Sequence, residues 1–346
     1  MSKLILAVAL VFALAIPASA VEFTAPQVPE KGAELMPEDT GSFAAGLMEL
    51  LRDAVLGLRP DLKEASKVSL GVIAAAMMVS LLQSFSGSVK TVANLVGATA
   101  IAAGLLLSAN SLIRLGSQTV TEISEYGKLL LPVMTAAMAA QGGAASSTAL
   151  YAGTAVFDSV LSSLISRMLG PMVYLFLALS AANGAIGENI LGKLRDLVKN
   201  VVSWSLKTIL TVFTTYMTVT GVVSGTTDAA ALKATKVTIS SVVPVVGGIL
   251  SDASEAVLVS AGLMKNAAGI YGILAVLAVF LSPFLKIGVH YLILKLTAAI
   301  CGIFGEKGLT ELIGDFSTAM GLLLAMTGSE CLLLLISTVC FLKGVG

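Results

Sequence analysis

Long stretches without a charged residue constrain this sequence more than any other feature. Thr91–Ile113 holds 23 residues without a charge, and Met168–Gly187 and Asn266–Leu285 hold 20 each. About 20 helical residues cross the hydrocarbon core of a bilayer, where a helix satisfies its own backbone hydrogen bonds. Charged residues make up only 12% of the chain, whereas a globular protein has about 25%. The sequence therefore predicts an all-α, polytopic transmembrane helical bundle.

The first 20 residues have the pattern of a secretory signal peptide. Lys3 precedes the apolar run Leu4–Ile16, Pro17 interrupts it, and Ala18-Ser19-Ala20 forms a small-residue cleavage site. We expect residues 1–20 to be a signal peptide cleaved after Ala20, and the alternative is an uncleaved first anchor. Either interpretation places the following segment outside the cytoplasm, and cleavage makes that segment the mature N-terminus.

Residues 21–67 are predicted to form a short extracytoplasmic linker followed by an amphipathic helix. Proline and acidic residues dominate the linker, and Ser42 is a candidate N-cap for the helix. Apolar residues then recur at helical spacing, and charged residues fall between them. The apolar set is Phe43, Leu47, Leu50, Leu51 and Leu58. This helix is expected to lie at the interface, to dock a partner, or to pack on its own membrane domain.

Residues 68–346 are predicted to form the membrane domain. The predicted spans are Val68–Phe85, Thr91–Ile113, Met168–Gly187, Thr208–Thr227 and later apolar runs. The segment Arg114–Lys128 is expected to be a loop between spans. Leu129–Phe157 lacks charge, but Pro132 and a Gly-Gly pair interrupt it, which predicts two short helical pieces.

The membrane domain contains a candidate tandem repeat, residues 92–203 and 204–315. Pro132 and Pro244 are 112 residues apart, and so are Pro171 and Pro283. The repeat pairs two interrupted segments, 129–167 and 237–265, in the manner of transporters built from repeats with broken helices. The alternative is that both segments are ordinary kinked helices or interfacial hairpins.

Basic residues indicate the orientation of the spans. The strongest basic cluster, Lys193 to Lys207, is expected on the cytoplasmic side. When the predicted spans are counted along the chain, Lys90 falls on the cytoplasmic side and the C-terminus falls outside. The predicted inner loop of the second repeat, residues 306–315, is mostly acidic and fits the positive-inside rule less well.

Ionisable residues within apolar segments are costly and often functional. Asp252 and Glu255 lie on one helical turn, and Lys286 and His290 share one helix face at i, i+4. Alternatively, the two acids cap a helix and His290 is a packing residue. The candidate polar path or gate comprises Pro132, Asp158, Pro244, Gly247, Gly248, Asp252, Glu255, Lys286 and His290.

No catalytic pattern supports an enzyme. A single histidine cannot supply a metal cluster, and the three cysteines lie late in the chain without CxxC spacing. Nucleotide-binding, nucleophile-elbow and zinc-protease motifs are missing from the sequence. Lys+Arg and Asp+Glu balance at 21 each, without the basic stripe typical of nucleic-acid binding. We therefore expect a non-enzymatic protein without a cofactor, a bound metal or a nucleic-acid partner.

The segment Ser241–Asn266 reads SVVPVVGGILSDASEAVLVSAGLMKN. It resembles the core motif of the stage III sporulation protein AE family, and the resemblance extends over roughly residues 64–343. The matching positions are Pro244, Val245, Gly247, Asp252, Ala253, Ser254, Glu255, Lys265 and Asn266. The segment before the first span, residues 21–67, is shorter than that family leads us to expect.

The resemblance implies a membrane component of the secretion-like channel between mother cell and forespore, needed for endospore formation. It implies partners as well, namely the other stage III operon A membrane proteins and their cytoplasmic ATPase. The expected location is the mother-cell membrane around the forespore, and a homo-oligomer is compatible with this role. One alternative is a stand-alone permease with its substrate site at segments 129–167 and 237–265. Another is a scaffold without a conduction path.

Overall fold

The computed structural model describes residues 26–37, 42–83, 88–139, 144–186, 189–219, 267–303 and 307–343. The described residues form nine α-helices, which confirms the predicted all-α bundle. The helices are α1 (Glu30–Ala33), α2 (Phe43–Gly57), α3 (Arg59–Gln83), α4 (Ser88–Met138), α5 (Ala144–Leu164), α6 (Gly170–Ile186), α7 (Asn189–Val219), α8 (Ala267–Gly302) and α9 (Lys307–Lys343).

Five stretches among the described residues are long and apolar enough to cross a membrane. They are Arg59–Leu82, Val92–Met138, Ser147–Ile186, Gly269–Gly302 and Lys307–Phe341. Together they indicate a multi-pass membrane protein. The signal peptide at 1–20, the second interrupted segment at 237–265 and the motif within it lie outside the described residues.

Helix α4 is one continuous helix of 51 residues, so the prediction of a loop at Arg114–Lys128 is wrong. Five polar residues of this segment are exposed at helical spacing, whereas Ile113, Val120 and Ile123 face the core. The exposed stripe is Arg114, Gln118, Thr121, Glu125 and Lys128, with steps of four and three residues. An amphipathic segment of this kind continues a helix instead of ending it.

Pro132 does not divide α4, because it lies inside the helix on its exposed face. A second proline, Pro171, is associated with a change in the backbone hydrogen bonding of its helix. It follows a π-helical turn at Ile165–Leu169 that joins α5 to α6, where the Gly170 N–H donates to the Ile165 carbonyl. A proline cannot donate to the carbonyl four residues earlier and its ring crowds that carbonyl, so the wider turn relieves the clash. Helices α5 and α6 thus form one rod.

Helix α7 differs from the predicted span at Thr208–Thr227, because it begins well before Thr208. A single helix runs through Asn189–Val219, and it is not among the five stretches apolar enough to cross a membrane. One side is buried at four-residue steps, at Val198, Val202 and Leu206. Residues beyond 219 in that predicted span lie outside the described residues. The proposed repeat boundary at residues 203 and 204 falls inside this helix.

Three pairs of successive helices have their adjoining ends at the same end of the bundle. Asp61 contacts Lys286 and Ser69 contacts Thr297, so α3 runs parallel to α8 and both finish at this end. The end of α6 and the start of α7 lie there as well, because Gly184 of α6 packs on Leu312 and Arg195 of α7 contacts Asp315, both near the start of α9. The last residues of α3, α6 and α8 and the first residues of α4, α7 and α9 therefore lie on one side of the bundle.

The N-terminal helices lie toward the opposite end, against the first half of α8. Gly46 of α2 packs on Leu274, and Gly32 of α1 packs on Val279. Helix α2 buries Phe43, Leu50 and Ala54. Of the three roles considered for the amphipathic helix, the structure has it packing on its own membrane domain.

Helix α9 forms the axis of the bundle. Within its most apolar stretch, 94% of the residues are buried, compared with 22% in α3. Helices α4, α5, α6, α7 and α8 all contact it. The core is therefore a helix surrounded by helices.

The longest helices exceed the thickness of a bilayer. The 51 residues of α4 extend about 77 Å at 1.5 Å per residue. A hydrocarbon core of about 30 Å, crossed at a tilt of about 40°, accommodates only about 40 Å of helix. Part of α4 therefore lies outside the hydrocarbon core.

Candidate functional site

A buried polar seam runs between α5 and α9, and α4 closes one side of it. Thr154 and Asp158 lie one turn apart on α5, and Glu330 and Ser337 lie two turns apart on α9. The Thr154 hydroxyl donates to Ser337 Oγ at 2.9 Å, and Ser337 in turn donates to the Leu333 carbonyl. All four residues are buried, so the seam is shielded from lipid and water.

Asp158 is fixed from α4. The Ser124 hydroxyl donates to Asp158 Oδ2 at 2.7 Å, and the second oxygen, Oδ1, is buried without a hydrogen-bond partner among the described residues. Gly127 lies beside it: a Cβ there would be 3.7 Å from Oδ1, in ordinary contact, and 3.2 Å from Leu334, which is tighter. Asp158 therefore sits where α4, α5 and α9 meet.

Glu330 is fully buried on α9. Neither of its carboxyl oxygens has a hydrogen-bond partner among the described residues. The carboxyl group lies close to that of Asp158, within reach of a hydrogen bond, but two ionised carboxylates have no proton to donate. Two acids thus face each other in the interior.

Lys286 pairs across helices with an acid from α3. Its Nζ lies 3.6 Å from Asp61 Oδ2, and the two side chains are partly exposed. One end of α3 is thereby attached to the middle of α8. Farther along, Ser69 and Thr297 join the same two helices through a 2.5 Å hydrogen bond.

His290 is buried one turn after Lys286. Its Nδ1–H donates to the Lys286 carbonyl at 2.9 Å, because a carbonyl can only accept. The ring also lines a cavity of about 10 Å³ between α3, α4 and α9, whose lining includes Ser108 and Phe316. This volume is close to that of one water site.

The structure does not bring all the predicted site residues together. Ser124 contacts Asp158, whereas Ser108 lines the cavity next to His290. The two serines are 16 residues apart on α4, which corresponds to about 24 Å along a helix. Pro132 lies on the outer face of α4, away from both groups. Pro244, Gly247, Gly248, Asp252 and Glu255 lie outside the described residues.

Glu330 and Ser124 were not among the predicted site residues. Glu330 carried a signal, because it is the only charged residue between Asp315 and Lys343. Ser124 carried none, since it is one of many hydroxyl residues in the chain. Only the fold brings it next to Asp158.

A charged cluster lies at the end of the bundle where α7 and α9 begin. Arg195 Nη1 donates to Asp315 Oδ2 at 2.7 Å, and Arg195 also pairs with Asp196. Burial lowers the pKa of Arg195, but the carboxylates of Asp315 and Asp196 outweigh it and raise the pKa above its ordinary value. The acidic start of α9 therefore lies beside the basic start of α7. A pairing of this kind explains how both segments can occupy one side of a membrane.

Comparisons with known proteins identify a curated relative and a protein family. The chain is similar to Stage III sporulation protein AE of Bacillus subtilis (strain 168), with 26% identity over 199 residues. That alignment covers 57% of this chain and about half the length of the relative, 50%. No solved structure matches the chain.

A family model described as Stage III sporulation protein AE matches residues 39–344. The match begins just before α2 and extends through α9, so it includes the seam, the charged cluster and the α3–α8 contacts. Since it covers most of the 346 residues, the comparison identifies the family. The chain belongs to the stage III sporulation protein AE family.

Proposed function

We propose that this protein is a non-enzymatic integral membrane component of the secretion-like channel complex that joins the mother cell to the forespore. Its family supports a role in sporulation. The five apolar stretches support a multi-pass location, which we assign to the mother-cell membrane around the forespore. The mature N-terminus is assigned to the extracytoplasmic side.

The observation that carries the proposal is the position of α9. A helix that is buried on all sides occupies the axis of the described bundle, where a stand-alone pore has its lumen. A solid bundle is suited to act as a partner or base for other subunits. The proposed partners are the other stage III operon A membrane proteins, including the ring-forming ones, and the cytoplasmic ATPase.

Deletion of the gene in a spore-forming bacterium tests the role. We expect arrest of sporulation after engulfment and rescue by the intact gene. Affinity capture of the tagged chain from sporulating cells should also recover the ring proteins and the ATPase, and a tagged unrelated polytopic protein is the control. Normal sporulation of the deletion strain would contradict the proposal.

A stand-alone permease is the second candidate, and the buried Asp158–Glu330 pair favours it. Acids inside a membrane protein often mark a transport path. Purified protein in liposomes distinguishes the two functions. Solute flux that Asp252→Asn abolishes would support a permease, whereas capture of partners without flux would support the channel component.

A further inference from the structure

The acid pair in the seam has no positive counterpart nearby. No basic side chain among the described residues forms an ion pair with Asp158 or Glu330. Lys128 of α4 is the basic group that acts on both acids, but it lies on the exposed stripe. On α4, Glu122 and Tyr126 lie two residues before and after Ser124, and on α9 Cys331 follows Glu330 and interacts with it.

Two ionised carboxylates cannot remain side by side in such an interior. Burial of an isolated carboxylate is strongly unfavourable, and a second negative charge adds repulsion. The usual result is that one acid of the pair keeps its proton. The remaining question is which acid carries it.

The hydrogen bonds of the seam indicate which of the two acids is protonated. Ser124 donates to Asp158 Oδ2, and such a donor stabilises the ionised form of a carboxyl group. Glu330 receives no donor from the described residues and is fully buried. A proton on Glu330 removes its charge and supplies the donor that Asp158 Oδ1 lacks.

We propose that Glu330 binds a proton at neutral pH and donates it in a hydrogen bond to Oδ1 of Asp158. The site is a proton-binding site at the junction of α4, α5 and α9. Loss of the proton places two negative charges across the seam and drives α5 away from α9, which weakens the Thr154–Ser337 bond. The inference is independent of the proposed function, because it depends only on the interior of the bundle.

Infrared spectroscopy of the purified full chain in lipid nanodiscs tests the site. At neutral pH the wild-type protein should show the carbonyl band of a protonated carboxylic acid, which is separate from the carboxylate bands. Labelling of glutamate carboxyl groups with ¹³C should shift this band, and labelling of aspartate should leave it in place. These measurements need no substitution, so they do not depend on the folding of a variant.

Substitutions then assign the band to one residue. Glu330→Gln should remove it, whereas Asp158→Asn should retain it at a shifted position. Glu311→Gln is the matched control, because Glu311 lies on the same helix but is exposed, and the band should persist in that variant.

Three results would overturn the proposal. The first is the lack of the band in the wild-type protein at neutral pH. The second is a shift of the band on aspartate labelling, which would place the proton on Asp158. The third is loss of the band in sodium chloride but not in choline chloride, which would indicate a metal-cation site.

Discussion

Helices α3 and α9 are both apolar enough to cross a membrane, yet they occupy opposite positions in the bundle. Only 22% of the apolar stretch of α3 is buried, compared with 94% of that of α9. Helix α3 exposes Leu70 and Met78, whereas nearly every residue of α9 faces another helix. Run length therefore identifies a membrane helix, but it does not reveal whether the helix faces lipid or protein.

Polar side chains of the two helices also find their partners in different places. In α9 the hydroxyls of Thr327, Ser329 and Thr338 donate to carbonyls four residues earlier in the same helix. This leaves Glu330 as the polar group with the greatest need of a partner from another helix. In α3 the polar residues Asp61 and Ser69 reach across to α8 instead.

The largest difference is expected when the same large side chain is shortened in both helices. Leu322→Ala in α9 removes a fully buried side chain and should cost about 2–5 kcal/mol of unfolding free energy. Leu70→Ala in α3, where Leu70 is 68% exposed, should change it by less than about 0.5 kcal/mol. Unfolding by SDS in mixed micelles measures both. Equal losses would mean that α9 is not the core helix.

A second test removes the charge that joins α7 to α9. Arg195→Ala leaves the largely buried Asp315 without its main partner, and it should cost about 1–3 kcal/mol. Lys193→Ala, at an exposed position on the same helix, is the control and should be nearly neutral. The same SDS titration applies. A neutral Arg195 variant would contradict a close contact between the starts of α7 and α9.

A third test adds one methyl group at a tight and at an open position. A Cβ at Gly153 of α5 would overlap the ring of Tyr216 in α7, so Gly153→Ala should cost about 1–3 kcal/mol. Gly71→Ala in α3 meets no atom within 4 Å and should be neutral or slightly stabilising. Thermal unfolding in detergent compares the two. A stabilised Gly153 variant would exclude the close α5–α7 contact.

The smallest effect is expected at the partly exposed ion pair between α3 and α8. Asp61→Asn should cost no more than about 1 kcal/mol, since pairs open to solvent contribute little. A double-mutant cycle with Lys286→Ala measures the coupling. A coupling that does not weaken in high salt would show that the pair is shielded from solvent.

The helical bundle could be predicted from the sequence because a helix that crosses a bilayer needs about 20 apolar residues, and the length of an apolar run is visible in the sequence. The prediction of a loop at Arg114–Lys128 is wrong, because the charged residues of this segment lie within a helix and do not end a span. Their spacing at 114, 118, 121, 125 and 128 is that of one exposed helix face, which is the signal that would have predicted the continuous helix.

Of the buried acid pair, only Asp158 was among the predicted site residues. Asp158 was recognised as a charge inside an apolar region, but its neighbour Glu330 is 172 residues away in the chain. In a helix that is apolar on all sides, no periodicity marks the face that meets another helix. A contact of this kind is decided by packing, which local patterns do not encode.

The central position of α9 has a consequence for the order of assembly. A chain is synthesised from its N-terminus, so α3, α4, α5 and α6 enter the bilayer before α9 leaves the ribosome. Helices insert individually and associate afterwards. Until α9 arrives, Asp158 has Ser124 but not Glu330, and the early helices surround an axis that is still vacant. Final compaction of this membrane domain is therefore a late, post-insertional event that depends on the last described helix.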